Sequence, residues 1–203
     1  FNLERETNVL LPALDNGQLA WSMIAAAHAL KLAGQDALAA RFNAHVGLMK
    51  TSAPILFWNP ANGKVWMNSK IHNARSPIST TNREGDMYLV DPYEGELMLM
   101  FLDIFCEWSN LAEKQKMWAP VKKNQIMVEY DHVGLPNGPI SVQRGWRFSS
   151  HELWKYMVLP YTDNEHALRV LRNGERARTW NSKLNDIPGL FAAAYNSTHS
   201  YID

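Results

Sequence analysis

Asn82-Arg83-Glu84-Gly85-Asp86-Met87-Tyr88-Leu89-Val90-Asp91-Pro92-Tyr93-Glu94-Gly95-Glu96 runs from a polar loop straight into the apolar segment Leu97-Met98-Leu99-Met100-Phe101-Leu102. Pro92 suits the first turn of a helix, where its missing N–H costs nothing, and Asp91 before it is a good N-cap. The pattern predicts a helix from about Pro92 to Asn110 whose body is core and whose first turn carries Glu94 and Glu96. Successive carboxylates on a helix point in different directions, so one can face a cleft while its partner is held by a neighbour. A carboxyl on such a rim, crowded by Tyr88, Tyr93 and the acids Glu84, Asp86 and Asp91, has the setting of a general acid. The plainer explanation is that acids gather at helix N-termini because the macrodipole favours them.

Outward from this stretch the chain reads as paired helices. Leu14-Asp15-Asn16-Gly17 has the look of a turn with an N-cap, followed by a helix to about Ala33 with Leu19, Met23, Ile24, Ala27 and Leu30 at helical spacing. Its many alanines offer a second, small-residue face that lets another helix come close. Gly34 ends it, and Asp36 to Met49 predicts a second helix with Leu38, Phe42, Val46 and Met49 buried, the two forming an antiparallel hairpin. Ile55–Trp58 and Lys64–Met67 flank a Gly-containing loop and read as a β-hairpin, and Lys70 to Arg83 as a long polar loop. Leu111 to Trp118 is expected to add a helical turn or two before Pro120, and Ile126–Tyr130 a strand. Ser149 with Glu152 has the spacing of a capping box for a helix to Leu159, and a last helix is expected from Asn164 to Asn181, with Glu165 and Arg169 paired on its outer face. This organisation favours an all-α layered or toroidal architecture, with loops and short β-hairpins inserted at one end, over a parallel α/β sheet.

Composition narrows the function. The 203 residues are 46% hydrophobic and 20% charged, enough to bury a sizeable core. Lys+Arg and Asp+Glu both total 20, so charge favours neither nucleic acid nor an anionic membrane surface. The longest apolar run, Leu97 to Cys106, is broken by Asp103 and too short to span a bilayer. The single Cys106 lies among Ile104, Phe105 and Trp108 and reads as core.

The phosphate-binding, dinucleotide-binding and serine-elbow patterns are missing, and His151-Glu152 fails as a zinc-protease motif because position 155 is Lys155. His28 and His45 have no partners at metal spacing, so no metal or cofactor is expected. Chemistry based on carboxylates is what the residue types leave. Eight Trp is a high number for this length, and Trp58, Trp66 and Trp146 fall in expected loops or hairpins. Sugar rings have apolar C–H faces rimmed by hydroxyls, which suits aromatic planes beside Asn, Gln, Arg and Glu side chains. Trp21, Trp108 and Trp154 read instead as core.

Five segments together resemble a known family: Leu14-Asp15-Asn16-Gly17, Asp91-Pro92-Tyr93-Glu94-Gly95-Glu96, Ser149-Ser150-His151-Glu152-Leu153-Trp154-Lys155, Leu159-Pro160-Tyr161 and Asn173-Gly174-Glu175-Arg176-Ala177-Arg178-Thr179-Trp180-Asn181. They are similar to the endo-β-1,2-glucanases, and the resemblance covers most of the chain from Leu14 onwards. It implies an (α/α)6 barrel, of which residues 1–203 would be an incomplete single catalytic domain. It also implies cleavage of internal bonds of linear β-1,2-glucan with inversion, without a cofactor and in a secreted or periplasmic setting. One Glu of the Glu94/Glu96 pair is expected to be the general acid, with the base a carboxylate in the C-terminal part of the barrel, beyond this chain. Tyr93, Arg83, Trp58, Trp66, Gln143, Arg144, Trp146, Arg147, His151 and Glu152 are the candidate partners of the glucan. A non-catalytic carbohydrate-binding protein on the same fold, or another α-toroid enzyme acting on sugars, is the alternative.

Overall fold

The computed structural model of the chain describes residues 9–71, 81–82, 87–90, 92–108, 110–132, 134–147, 149–186, 193–194 and 201–202. Arg83, Glu84, Asp86, Asp91 and the apolar segment from Ile187 lie outside the described residues, as does the side chain of His151. Most of the described chain is α-helix, joined by short antiparallel hairpins, as the hydrophobic periodicity anticipates. It divides into two units, Phe1–Lys122 and Lys123–Asp203.

The first unit begins with strand β1 (Val9–Pro12), which leads directly into helix α1 (Ala13–Leu32). Leu14 to Gly17 is therefore the first turn of the helix rather than a turn before it. Pro12 occupies the N-cap without a side-chain bond, and Asn16 instead donates its amide to the Pro12 carbonyl at 2.8 Å. Of the expected stripe Ala27 is buried and Met23 and Ile24 pack partly buried against the core, but Leu19 is 45% exposed, and the fully buried face is completed by Ala13, Gly17 and Ala20. Small residues win that face because a neighbouring backbone comes close to it. Gly34, with φ of 72°, turns the chain back into α2 (Asp36–Phe57), a left-handed conformation that costs glycine nothing. Helix α2 runs past the expected end at Met49 and through Pro54. The lost N–H is tolerated in the last turns because Ala53 and Phe57 are buried there and tertiary packing holds the helix.

The predicted hairpin exists but is shorter: β2 (Trp58–Asn59) pairs with β3 (Lys64–Val65). Both ends of the expected polar loop are strands. β4 (Asn68–Ile71) pairs antiparallel with β1 and with β5 (Thr81–Asn82), and the Ser69 hydroxyl donates to the Leu56 carbonyl. Met87 to Leu89 then runs alongside Val65 to Met67. Met67 N donates to Met87 O at 3.0 Å and Leu89 N to Val65 O at 2.7 Å, so the approach to the acidic stretch is held extended.

Helix α3 (Gly95–Phe105) follows, shorter at both ends than expected, with Gly95 to Leu99, Phe101 and Leu102 all buried. A helix apolar nearly all round belongs in a core, and three indoles brace it. Trp21 Nε1 donates to Leu97 O, Trp108 Nε1 to Leu102 O and Trp118 Nε1 to Asp103 Oδ2, each at 2.8 Å. Lys114 Nζ pairs with the other Asp103 oxygen at 2.5 Å. Cys106 caps the helix, buried, with its thiol pushed up to about 11 by burial while Lys50 pulls back, as befits a core residue. Helix α4 (Leu111–Lys116) is the turn or two expected before Pro120, and Pro120 itself sits in the first turn of α5 (Trp118–Asn124).

Gly17 is where α1 meets α3. A Cβ at position 17 would lie 2.6 Å from Met98 N and 2.9 Å from Met98 Cα, both backbone atoms with nowhere to move. Gly17→Ala is expected to lower the melting temperature by roughly 3–10 °C, since overpacking a tight contact costs about 1–3 kcal/mol. A thermal melt indistinguishable from the parent would show that the two helices can part cheaply.

In the second unit, β6 (Met127–Tyr130) pairs antiparallel with β7 (Ile140–Gln143), followed by α6 (Ser149–Val158), a 3-10 turn at Pro160–Asp163 and α7 (Glu165–Leu184). Asn164 caps α7 by accepting from His166 N and Ala167 N. Arg169 Nη2 lies 3.2 Å from His166 Nδ1, in place of the expected pairing with Glu165. Tyr130, Leu135, Ile140, Val142, Trp146 and Ala177 form this unit's buried cluster. A last two-residue ladder, β8 (Ala193–Ala194) with β9 (Tyr201–Ile202), ends the described chain.

Candidate active site

The N-terminal end of α3 carries the two acids. Glu94 takes the N-cap position and Glu96 the first turn, and both are buried, at 7% and 2% exposure. A carboxylate at an N-cap ordinarily accepts from the helix's own free N–H groups, but Glu94 makes no such cap bond. Its Oε2 accepts instead from Gln18 Nε2 on α1, at 2.6 Å. That bond exists because α1 lies directly on the α3 backbone at Gly17, one residue earlier, and is fixed again at Trp21 one turn on. Tyr93 is half-buried beside the pair, and its carbonyl accepts from Glu96 N at 3.4 Å.

The aromatics nearest in sequence are packed. Trp66 is stacked on Tyr88, centroids 4.5 Å apart, with Lys64 Nζ 4.8 Å from the Tyr88 ring centre. The Tyr88 hydroxyl accepts from Asn62 Nδ2 at 2.6 Å and Asn59 Nδ2 at 3.3 Å. Trp58 is buried in the first unit's core, edge-on to Trp108 at 4.9 Å. Its rings pack against protein, so Trp58 behaves here as a core residue and offers no open face for a sugar.

The remaining candidates lie on the second unit. Gln143 is buried on β7, and the turn after it carries Arg144, exposed, and Trp146, buried with its edge on Tyr130 at 4.9 Å. The exposed Arg147 guanidinium lies over the Trp146 ring, 5.2 Å from its centre. Burial pushes the Tyr130 phenol up, with the Arg147 charge pulling back.

Glu152 turns out differently from the sequence reading. The Ser149 side chain, the other half of the expected capping box, lies outside the described residues. Glu152 itself is fully buried, and Oε2 accepts from Arg178 Nη1 at 2.6 Å, while Oε1 meets no donor among the described residues. Arg178, 5% exposed, also donates to Trp146 O at 2.5 Å and to Glu175 Oε1 at 2.5 Å. Burial works against the guanidinium charge and the two carboxylates more than offset it. For Glu152 burial pushes the carboxyl up from its ordinary value, while Arg178 and Lys155 pull the other way. A Cβ on Gly174 would lie 3.1 Å from Glu152 Oε2, which leaves glycine as the residue that gives this ion pair room. The carboxylate thus sits beneath the surface, where it ties α6 to α7 and to the Trp146 turn, and has no surface on which to meet a sugar hydroxyl.

Sequence reasoning missed Gln18 and Arg178. A lone Gln inside a helix carries no signal, although the adjacent Leu14–Gly17 motif marks the place. Arg178 stands within a quoted motif, but its partner is 26 residues away on another helix.

Comparison with known proteins adds the family. Residues 3–203 match the family described as endo-beta-1,2-glucanase SGL. No curated protein matches the sequence. Two solved structures of the endo-beta-1,2-glucanase from Talaromyces funiculosus are similar. One is a Glu-to-Gln mutant in complex with beta-1,2-glucan, 34% identical with a TM-score of 0.79, covering 96% of this chain and 41% of that one. The other, with sophorose, is 35% identical with a TM-score of 0.78, covering 99% and 42%. The chain therefore spans about two fifths of the length of these relatives. With the match running from residue 3 to residue 203, this chain belongs to the endo-β-1,2-glucanase SGL family.

Proposed function

We propose that this chain supplies the general-acid half of an inverting glycoside hydrolase that cuts internal β-1,2-glucosidic bonds of linear β-1,2-glucan. The observation that carries the reading is the buried Glu94/Glu96 pair at the start of α3, in a chain of this family whose solved neighbours are complexes with beta-1,2-glucan and sophorose. In this reading one of the two carboxyls gives its proton to the glycosidic oxygen as the C1–O bond breaks. A second carboxylate, elsewhere in the protein, takes a proton from a water whose oxygen attacks C1 from the opposite face, so the anomeric configuration inverts. In this reading the acid belongs to a catalytic domain of the (α/α)6 type. The candidates then left to meet the glucan are Tyr93, Arg144 and Arg147, with Arg83 and His151, while Gln143 and Trp146, buried, support the turn that carries the two arginines. Trp66 contributes as the packed wall behind Tyr88. In this reading the polymeric substrate is met outside the cytoplasm, in the medium or the periplasm.

The test is digestion by the full-length enzyme. Linear β-1,2-glucan is expected to yield sophoro-oligosaccharides whose new reducing ends are first released as the α-anomer, seen by proton NMR of fresh digests. Equal rates on β-1,3- or β-1,4-glucan would overturn the substrate assignment, and first release of the β-anomer would overturn the inverting mechanism.

A further inference from the structure

We infer that Gln18 is a positioning residue for the proton transfer, acting through Glu94. The inference rests on the reading that the Glu94/Glu96 pair holds the general acid. At the N-cap of α3 the Glu94 side chain makes no cap bond. It reaches across to α1, where Gln18 Nε2 meets Oε2 at 2.6 Å, the short end of N–H···O distances and typical of a donor facing a carboxylate.

The donor itself has little freedom. Gly17, immediately before it, brings α1 onto the Met98 backbone, and Trp21, one turn later, donates to Leu97 O at 2.8 Å. Gln18 is thus fixed against α3 on both sides of the bond it makes. With Oε2 accepting the amide N–H, the proton of a protonated Glu94 carboxyl belongs on Oε1. The chemical type of the donor matters as well. A lysine or arginine in that place would favour the anion through its charge, whereas a neutral amide orients a carboxyl without adding a cation beside it. If Glu96 is the acid, the same bond fixes the other carboxyl of the pair. In either case the geometry of the pair depends on Gln18.

The experiment is a double-mutant cycle in the full-length enzyme on linear β-1,2-glucan. Gln18→Met keeps length and helix propensity but removes the donor, and as a half-buried helix position it is expected to fold normally. Its kcat is expected to fall roughly 10- to 100-fold, as misplacement of a reacting group does, with KM nearly unchanged. In a Glu94→Met background, where the acceptor is gone, the same Gln18→Met change is expected to cost nothing further. An unchanged kcat for Gln18→Met overturns the inference. So does an equal loss in both backgrounds, because the effect would then be general destabilisation of α1. If Glu94→Met and Glu96→Gln each leave kcat intact, the acid assignment itself is wrong, a result separate from either of those.

Discussion

Hydrolysis of β-1,2-glucan by the full-length enzyme is expected to collapse on one glutamate-to-glutamine change at the start of α3 and to survive the other. Glu94→Gln and Glu96→Gln keep shape and hydrogen-bonding reach while deleting a transferable proton. General acid catalysis typically contributes about 10²–10⁴-fold, so the variant that removes the donor should lose that much in kcat with KM little changed. The loss should shrink with an aryl sophoroside, whose departing phenolate needs no proton. That recovery separates a missing acid from a misfolded site. Glu175→Gln serves as control. Glu175 is half-exposed on α7, its carboxylate engaged by Arg178, and its removal should leave the chemistry nearly intact. Full activity in both α3 variants would return the stretch to an ordinary helix start whose acids answer the macrodipole.

The largest stability effect is expected at Arg178. Arg178→Met leaves Glu152, fully buried, without its counterion, and breaking a buried pair from one side costs about 3–5 kcal/mol. For a chain of this size that is a fall in melting temperature on the order of 10 °C. The change carries a pH signature. Burial already raises the Glu152 carboxyl above its ordinary value, and losing Arg178 removes the main opposing influence. A carboxyl raised in the folded state binds its proton more readily folded than unfolded. The stability it contributes is therefore present below the unfolded value and lost as pH climbs through the folded one. The gap in melting temperature between parent and Arg178→Met should thus be small near pH 4, where Glu152 is neutral, and should widen towards pH 7. Glu152→Gln in the same background should recover much of the loss at neutral pH. A gap that does not change with pH would mean the damage is lost packing and hydrogen bonds to Trp146 and Glu175, with no buried charge involved.

Helix existence was readable from periodicity, and the paired helices before and after Gly34 needed nothing more. Which face they bury was not. In α1 the apolar stripe with Leu19 competes with Ala13, Gly17 and Ala20, and the small face wins because α3 backbone lies against it, a fact of tertiary structure with no local trace. Glu152 failed for a related reason. Its spacing from Ser149 fits a local rule, while the partner its carboxylate holds is a guanidinium far along the chain on α7. The strands β1, β4 and β5 escaped notice because each is too short for alternation to register, and their pairing depends on residues far apart in sequence. Of the site, Glu94 and Glu96 stood out by their place at the head of an apolar run. Gln18 becomes visible only once α1 is laid beside α3. Tryptophan content pointed to sugar, yet Trp21, Trp108 and Trp118 use their N–H groups on the frame of α3.

Those three indoles also shape the light that the first unit emits. Each couples its ring nitrogen to a carbonyl or carboxylate of a single helix, so the fluorescence of the first unit is in effect a gauge of whether α3 is seated. Trp58 and Trp66, buried against Trp108 and Tyr88, belong to the same optical cluster. A red shift in emission would mark water reaching that helix, and would come before any reading of occupancy by ligand. The chromophores most tempting as reporters of glucan are reporters of the scaffold that holds Glu94 and Glu96 in place.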